Sequence, residues 1–124
     1  MSEIPEQLSY TAEHEWLASG DLTTVGITAH AVEELGEIIF VELPAVGATV
    51  QAGTPCGEVE STKAVSEIYA PMSGEVIEVN DSLETSPETL GEDPYGAGWL
   101  FKLKTDDGEY ALLDAEGYRS LIES

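Results

Sequence analysis

Lys63 is the residue in this sequence best placed for covalent chemistry. The 124-residue chain has only four lysines and arginines against 25 acidic residues, and the other three cations lie in its last quarter. Small polar residues surround Lys63, and strand-favouring runs lie on both sides of them, which is the pattern of a β-hairpin with a lysine at its tip. A lysine at an exposed tip is accessible to a modifying enzyme. The alternative is an ordinary solvated surface lysine.

Other residue types with chemical potential are few. With only two histidines, His14 and His30, the sequence gives no basis for a Ser/His/Asp catalytic arrangement. No spacing of histidine, cysteine and carboxylates predicts a metal site. Cys56 is the only cysteine, which excludes an internal disulfide and fits a reducing cytoplasm. Because no basic residue is near it in sequence to lower the pKa of its thiol, we expect Cys56 to be a small buried apolar residue.

Composition restricts the partners. The net charge of −21 makes nucleic acid and anionic membranes poor partners, because like charges repel, and makes basic protein surfaces natural ones. The acidity could instead serve solubility alone or reflect a saline cytoplasm. No apolar run approaches the ~18 residues of a membrane span, and the first residues lack a secretory pattern, so a cytoplasmic protein is expected.

The elements that must position the lysine are mostly short strands. Residues 1–9 are expected to form a loose arm, and residues 10–17 and 22–27 a first hairpin. Thr28 is placed to cap a short helix that ends at Gly36. Residues 38–43 are nearly all apolar, which predicts a strand buried on both faces.

The second half of the chain is also predicted to consist of short elements. Residues 80–98 are predicted to be a loop with local helical turns, anchored by Leu83 and Leu90. Residues 99–104 predict a final strand, and residues 105–124 a C-terminal helical segment capped by Asp114. Many short strands with little helix favour a single mainly β domain over 1–124, an antiparallel sandwich or flattened barrel.

Several motifs in this order resemble the glycine cleavage system H protein family. The resemblance runs from about Leu8 to Leu103. It is carried by His14-Glu15-Trp16, Val25-Gly26-Ile27-Thr28, Val41-Glu42-Leu43-Pro44, Gly57-Glu58-Val59-Glu60-Ser61-Thr62-Lys63-Ala64, Tyr69-Ala70-Pro71 and Asp93-Pro94-Tyr95-Gly96.

The resemblance implies a lipoyl-domain-like barrel-sandwich hybrid of two antiparallel sheets with a few short helices. It implies that lipoic acid is joined by an amide to Lys63, giving N6-lipoyl-lysine, and that the protein is a shuttle and not an enzyme. The implied partners are pyridoxal-phosphate-dependent glycine decarboxylase, a tetrahydrofolate-dependent aminomethyltransferase, dihydrolipoamide dehydrogenase, and a lipoate ligase or lipoyl transferase. A monomer is expected.

The resemblance also implies residue roles around the lysine. His14, Glu15 and Glu67 correspond to a surface cleft that shields the loaded arm, where a carboxylate can bind a protonated amine. Glu60 and Ser61 are candidates for recognition by the lipoylating enzyme or by partners. Lipoylation would remove the lysine charge, and Glu60 and Glu67 could then steer the arm toward basic entrances. They could equally be solvated acids.

Three alternatives remain open from the sequence. The first is another swinging-arm domain; the methionines typical of biotinyl sites are missing beside Lys63, where Thr62 and Ala64 stand. The second is an H-like protein that donates or relays lipoyl groups to other lipoate-dependent enzymes. The third is an acidic binding module in which Lys63 stays unmodified.

Overall fold

A computed structural model describes residues 4–105 and 112–123. They form a mainly β fold with two antiparallel sheets and a few short helices, as predicted. The elements in chain order are β1 Ser9–Tyr10, β2 Glu15–Ala18, β3 Thr23–Ile27, α1 Ala29–Leu35, β4 Ile38–Glu42, β5 Thr49–Val50, β6 Pro55–Ser61, β7 Val65–Tyr69, β8 Gly74–Val79, α2 Ser82–Thr85, α3 Glu88–Glu92, β9 Phe101–Thr105 and α4 Ala115–Glu123.

The two sheets enclose one main core. The larger sheet has the strand order β1-β2-β3-β9-β8-β5, and the smaller has the order β4-β6-β7. Both contribute fully buried apolar side chains, because alternate residues along each strand point to the same face. The buried set includes Val25, Val76, Phe101 and Leu103 from the larger sheet, and Val41, Val59 and Ile68 from the smaller one.

Strand β4 corrects the prediction that its apolar run is buried on both faces. Ile38 and Val41 are buried, but Ile39 and Phe40 are 45% and 46% exposed. The strand lies at the edge of the smaller sheet, and a register shift between Ile38 and Phe40 interrupts the alternation of its side chains. The continuous apolar run therefore supplies one buried face and one exposed one.

The predicted start and end of α1 and the predicted anchors of the long loop are confirmed. The Thr28 side chain accepts a hydrogen bond from the Ala31 amide at the start of α1, and Gly36 ends that helix at φ 87°. The long loop contains α2 and α3, with Leu83 and Leu90 fully buried as its anchors.

Residues near both ends of the described ranges form a second apolar cluster. The Tyr10 and Tyr118 rings stack with centroids 4.8 Å apart, and Trp16 packs beside them. Of the arm predicted at 1–9, Ile4 and Leu8 pack against this cluster and Ser9 begins β1. Of the segment predicted at 105–124, Thr105 ends β9 and α4 follows Asp114, whose Oδ1 accepts from Gly117 N at 2.7 Å. Residues 1–3, 106–111 and 124 lie outside the described residues.

Candidate functional site

Lys63 lies at the exposed tip of the β6–β7 hairpin, where the sequence predicts it. The last paired residues before the tip are Glu60 and Val65. The aliphatic part of the lysine passes over Gly36, where an added methyl group would lie 3.6 Å from Lys63 Cε. The tip is therefore narrow, and its lysine is open to solvent.

Ser61 holds the tip in shape from within. It is buried, and its hydroxyl oxygen accepts from the amides of Lys63 at 3.2 Å and Ala64 at 3.0 Å. The Thr62 amide adds a bond to the Glu37 carbonyl at 3.0 Å, which ties the tip to the end of α1. Ser61, one of the two recognition candidates, therefore stabilises the tip turn. The other candidate, Glu60, is half-buried on β6.

A cleft of about 400 Å³ lies directly beside the tip. The structure brings the three predicted cleft residues His14, Glu15 and Glu67 together on its lining, although Glu67 is more than 50 residues from the other two. Ala64 and Val65, which follow the lysine, form part of the same wall. The cleft is therefore continuous with the lysine tip.

Glu15 is the most buried ionisable group of the cleft, at 2% exposed. Its Oε1 accepts from the Thr11 hydroxyl at 2.6 Å, and its Oε2 accepts from the Tyr69 amide at 3.2 Å. Burial raises the pKa of Glu15 to about 7, and these hydrogen bonds oppose the rise. Near neutral pH the side chain can consequently switch between carboxylic acid and carboxylate, and a cation in the cleft favours the carboxylate.

His14 is held by backbone and side chain together. Its φ of 72° is left-handed, and its Nδ1 lies 2.7 Å from the Tyr118 hydroxyl. Burial lowers the pKa of His14, and the electrostatic effect of His30, whose ring centroid lies 5.2 Å from that of His14, lowers it further. The imidazole is therefore neutral at physiological pH.

Sequence reasoning missed several residues that complete the site. Tyr118 also bonds Thr28 Oγ1 at 2.7 Å, and burial raises the pKa of its phenol to about 12. In the sequence, Tyr118 has helical spacing with Leu121 and Ile122, which indicates an apolar helix face and gives no signal of a polar contact. Further acidic and histidine side chains line the cleft, namely Glu13, His30 and Glu34.

The cleft is acidic as a whole. Four carboxyl side chains line it, from Glu13, Glu15, Glu34 and Glu67, against two histidines. The carboxylate of Glu67 interacts with the Tyr69 hydroxyl and raises the pKa of that phenol. The cleft thus suits a small cationic group better than an anion.

Other chemistry has little support in the described ranges. Residues 4–105 and 112–123 contain no group of three or more histidine, cysteine or acidic side chains arranged to hold a metal ion. None of the helices in these ranges has the length and apolar character needed to cross a membrane. Cys56 is half-buried, and burial raises the pKa of its thiol to about 12.

Two antiparallel sheets, with a lysine at the tip of a hairpin in the smaller one, define a fold of the lipoyl-domain class. Residues 8–124 match the family described as Glycine cleavage H-protein. The chain belongs to the glycine cleavage H-protein family.

Individual relatives agree with this membership over nearly the full chain. The chain is 57% identical to the glycine cleavage system H protein of Rubrobacter xylanophilus, covering 99% of this chain and 98% of that protein. It is 55% identical to the protein of the same name from Escherichia coli, with the same coverage. It is also similar to the crystal structure of a glycine cleavage system H protein from Mycobacterium marinum, with a TM-score of 0.91, 48% identity, and coverage of 98% and 100%.

Proposed function

We propose that this chain is the lipoyl-bearing shuttle of the glycine cleavage system, a non-catalytic component of a multienzyme system, with lipoic acid joined by an amide to Lys63. The observation that supports this most is the position of Lys63, exposed at a narrow tip whose next two residues line an acidic cleft. Family membership adds to it. When attached, the dithiolane supplies the group-carrying and redox chemistry.

The residues present fit such a group. The backbone on either side of Lys63 is fixed by Ser61, so the attachment point is ordered while the side chain stays accessible. Ala64 is a small neighbour that leaves the lysine approachable from several directions. A long arm on this lysine can extend into a partner or fold back along the wall formed by Ala64 and Val65.

The cleft would hold a protonated amine carried at the end of the arm. Glu15 is the main candidate, because its carboxylate is buried and already oriented by Thr11 and the Tyr69 amide. Glu67 supplies a second carboxylate, and His14 a neutral wall. A charge-assisted hydrogen bond to Glu15 retains the amine, and exclusion of water slows its loss by hydrolysis.

The proposed partners are those expected from the family. The arm would be loaded by pyridoxal-phosphate-dependent glycine decarboxylase, unloaded by the tetrahydrofolate-dependent aminomethyltransferase and reoxidised by dihydrolipoamide dehydrogenase. A lipoate ligase or lipoyl transferase would attach the group. Each must reach the same exposed tip, which a monomer presents without obstruction.

Intact-mass analysis with peptide mapping tests the attachment. Incubation with lipoate, ATP and a lipoate ligase is expected to add one lipoyl group to Lys63. Lys63→Arg should stay unmodified and abolish glycine cleavage in a reconstituted system, with the fold unchanged, because exposed substitutions usually alter stability by less than about 0.5 kcal/mol. Lys104→Arg, at another exposed lysine, is the matched control and should be lipoylated normally. Full glycine cleavage by Lys63→Arg would overturn the proposal.

The role of the cleft has its own test. Glu15→Gln should be lipoylated at the normal rate but release ammonia from the loaded arm faster than the wild type. Glu84→Gln, an exposed change on α2, is the control. Equal ammonia release from the three proteins would remove Glu15 from the proposed role while leaving Lys63 in place.

A further inference from the structure

Thr11 lies behind the cleft, at the start of the loop that carries His14 and Glu15. It is buried, and it lines a second hollow of about 310 Å³, on which Glu15 also lies. The described lining of the cleft itself includes Glu15 but not Thr11. Thr11 therefore acts on the cleft through Glu15, without touching what the cleft holds.

The Thr11 hydroxyl uses every hydrogen-bonding position that it has. It donates to Glu15 Oε1 at 2.6 Å, and it accepts from the backbone amides of Glu13 at 3.2 Å and Glu15 at 3.1 Å. A hydroxyl group has one hydrogen and two lone pairs. Because two N–H donors occupy both lone pairs, the hydrogen is directed to Glu15, and the oxygen has no lone pair left for a protonated Glu15 side chain.

The Thr11 backbone fixes the same loop. Its amide donates to the Glu15 carbonyl at 3.0 Å, and its carbonyl accepts from the His14 amide at 3.1 Å. These bonds close a tight turn in which His14 has its left-handed φ of 72°. The turn therefore sets where the Thr11 hydroxyl lies relative to the Glu15 side chain.

Both oxygens of the Glu15 carboxyl group consequently face donors. Oε1 accepts from the Thr11 hydroxyl, and Oε2 accepts from the Tyr69 amide at 3.2 Å, which has no lone pair to offer in return. A carboxylic acid needs an acceptor for its own proton, and neither neighbour supplies one. Burial favours the neutral acid, whereas these two contacts favour the carboxylate. A cation that donates hydrogen bonds from the cleft side resolves this conflict.

We propose that Thr11 is a positioning residue that keeps Glu15 a hydrogen-bond acceptor on both oxygens, and that it thereby makes this end of the cleft specific for a protonated amine. A protonated amine supplies N–H donors and the compensating charge. A neutral acceptor group, such as a carbonyl oxygen, finds no donor on the Glu15 carboxylate. This inference rests on the proposed function, because it assigns the selectivity of the same cleft.

Other titratable groups face or neighbour Glu15 from each surrounding element. They are Glu13 and His14 on its own loop, His30 and Glu34 on α1, Cys56 on β6, Glu67 and Tyr69 on β7, and Tyr118 on α4. The variants below leave all of these groups unchanged. A difference among the variants at position 11 therefore reports the hydroxyl.

The first measurement uses the unmodified protein. The carboxyl carbon chemical shift of Glu15, followed from about pH 5 to 9, gives the midpoint at which this side chain gains its proton. Thr11→Val keeps the shape and removes the hydroxyl, so it should raise the midpoint by about one pH unit. Thr11→Ser should restore the wild-type midpoint. Thr54→Val is the matched control, because the Thr54 hydroxyl also bonds within a turn, to the Gln51 carbonyl at 2.6 Å, beside a different hollow.

The second measurement uses the lipoylated and loaded protein. Near neutral pH, Thr11→Val should release ammonia several-fold faster than the wild type, because a larger fraction of its Glu15 side chains is neutral. Thr11→Ser and Thr54→Val should match the wild type. Thr11→Cys has a thiol, which is a weak donor, and should shift both readouts less in the same direction. It provides the comparison if Thr11→Val does not fold, as judged by circular dichroism.

Three results would overturn the inference. They are an unchanged midpoint in a folded variant that lacks the hydroxyl, an equal rise of the midpoint in Thr11→Ser, and a raised midpoint with ammonia release equal to that of the wild type. The first two are read without any lipoyl group, so they leave the proposed shuttle intact. A failure of the shuttle is detected separately, by the mass of the peptide that contains Lys63.

Discussion

The Tyr118 hydroxyl lies 2.7 Å from His14 Nδ1, which joins the last helix to the wall of the cleft across more than 100 residues of sequence. The same hydroxyl lies 2.7 Å from Thr28 Oγ1, which caps α1 by accepting from the Ala31 amide. Two donor orders satisfy these distances: Thr28 donates to Tyr118 and Tyr118 donates to His14 Nδ1, which leaves the His14 proton on Nε2, or both directions are reversed. We predict the first order, in which the contact with Tyr118 biases the tautomer of the cleft histidine.

Tyr118→Phe removes this chain while leaving the ring stacked on Tyr10. We expect a loss of about 1–2 kcal/mol in the free energy of unfolding, because the buried Thr28 hydroxyl and the half-buried His14 imidazole each lose a hydrogen bond. The effect specific to loss of the hydrogen bond to His14 is a changed ratio of its two neutral tautomers, measured from the nitrogen chemical shifts of the imidazole. Tyr95→Phe is the control, since the Tyr95 oxygen accepts from the Ala29 amide at the same helix end. Unchanged His14 shifts in Tyr118→Phe would contradict the assignment.

Glu15 makes stability depend on pH in a defined direction. Its pKa is about 7 in the folded chain against an ordinary value of 4.5 for a solvated glutamate, so the folded state holds this proton more tightly than the unfolded state does. The resulting contribution to stability is fully present below pH 4.5 and is lost as pH rises to about 7, a change of roughly 3 kcal/mol. The difference in unfolding free energy between wild type and Glu15→Gln, measured by urea titration from about pH 4 to 8, should follow this curve. A constant difference across that range would contradict the raised pKa.

Gly26 lies where the strand must pass close to an aromatic ring. A methyl group added there would lie 2.4–2.5 Å from atoms of the Trp16 indole, so the buried ring must move. We expect Gly26→Ala to destabilise the fold by about 1–3 kcal/mol, as overpacked core positions do. Gly91→Ala is the contrasting control, because its methyl group meets Val32 and Ile38 at 3.8–3.9 Å inside α3. That change should be neutral or stabilising by up to about 1 kcal/mol, as judged by thermal unfolding.

Cys56 should resist alkylation in the folded protein. Burial raises the pKa of its thiol from 9.0 to about 12, which lowers the thiolate fraction at pH 8 about 1,000-fold. Labelling by iodoacetamide, followed by mass spectrometry, should be correspondingly slower in buffer than in concentrated urea. Rapid labelling under native conditions would show that the thiol is more accessible than its half-buried position indicates.

The sequence by itself determined the features whose signals are local. The hairpin around Lys63, the cap at Thr28, the stop at Gly36 and the anchors Leu83 and Leu90 each depend on a few neighbouring residues, and the structure contains all of them. Short-range turn and cap geometry, together with the apolar pattern, carries this information. The motifs that carry the resemblance are local in the same sense, which is why the family could be inferred from the residues alone.

The tertiary structure decided which faces are covered and which distant side chains meet. The apolar run of β4 predicted two buried faces, but its position at a sheet edge leaves Ile39 and Phe40 exposed. Ser61 is polar and close to the lysine, yet it is buried because the tip turn uses its hydroxyl. The contact between His14 and Tyr118 has no local signal at all. Burial and long-range hydrogen bonds depend on how the sheets and the last helix pack, and that packing is a property of the whole chain.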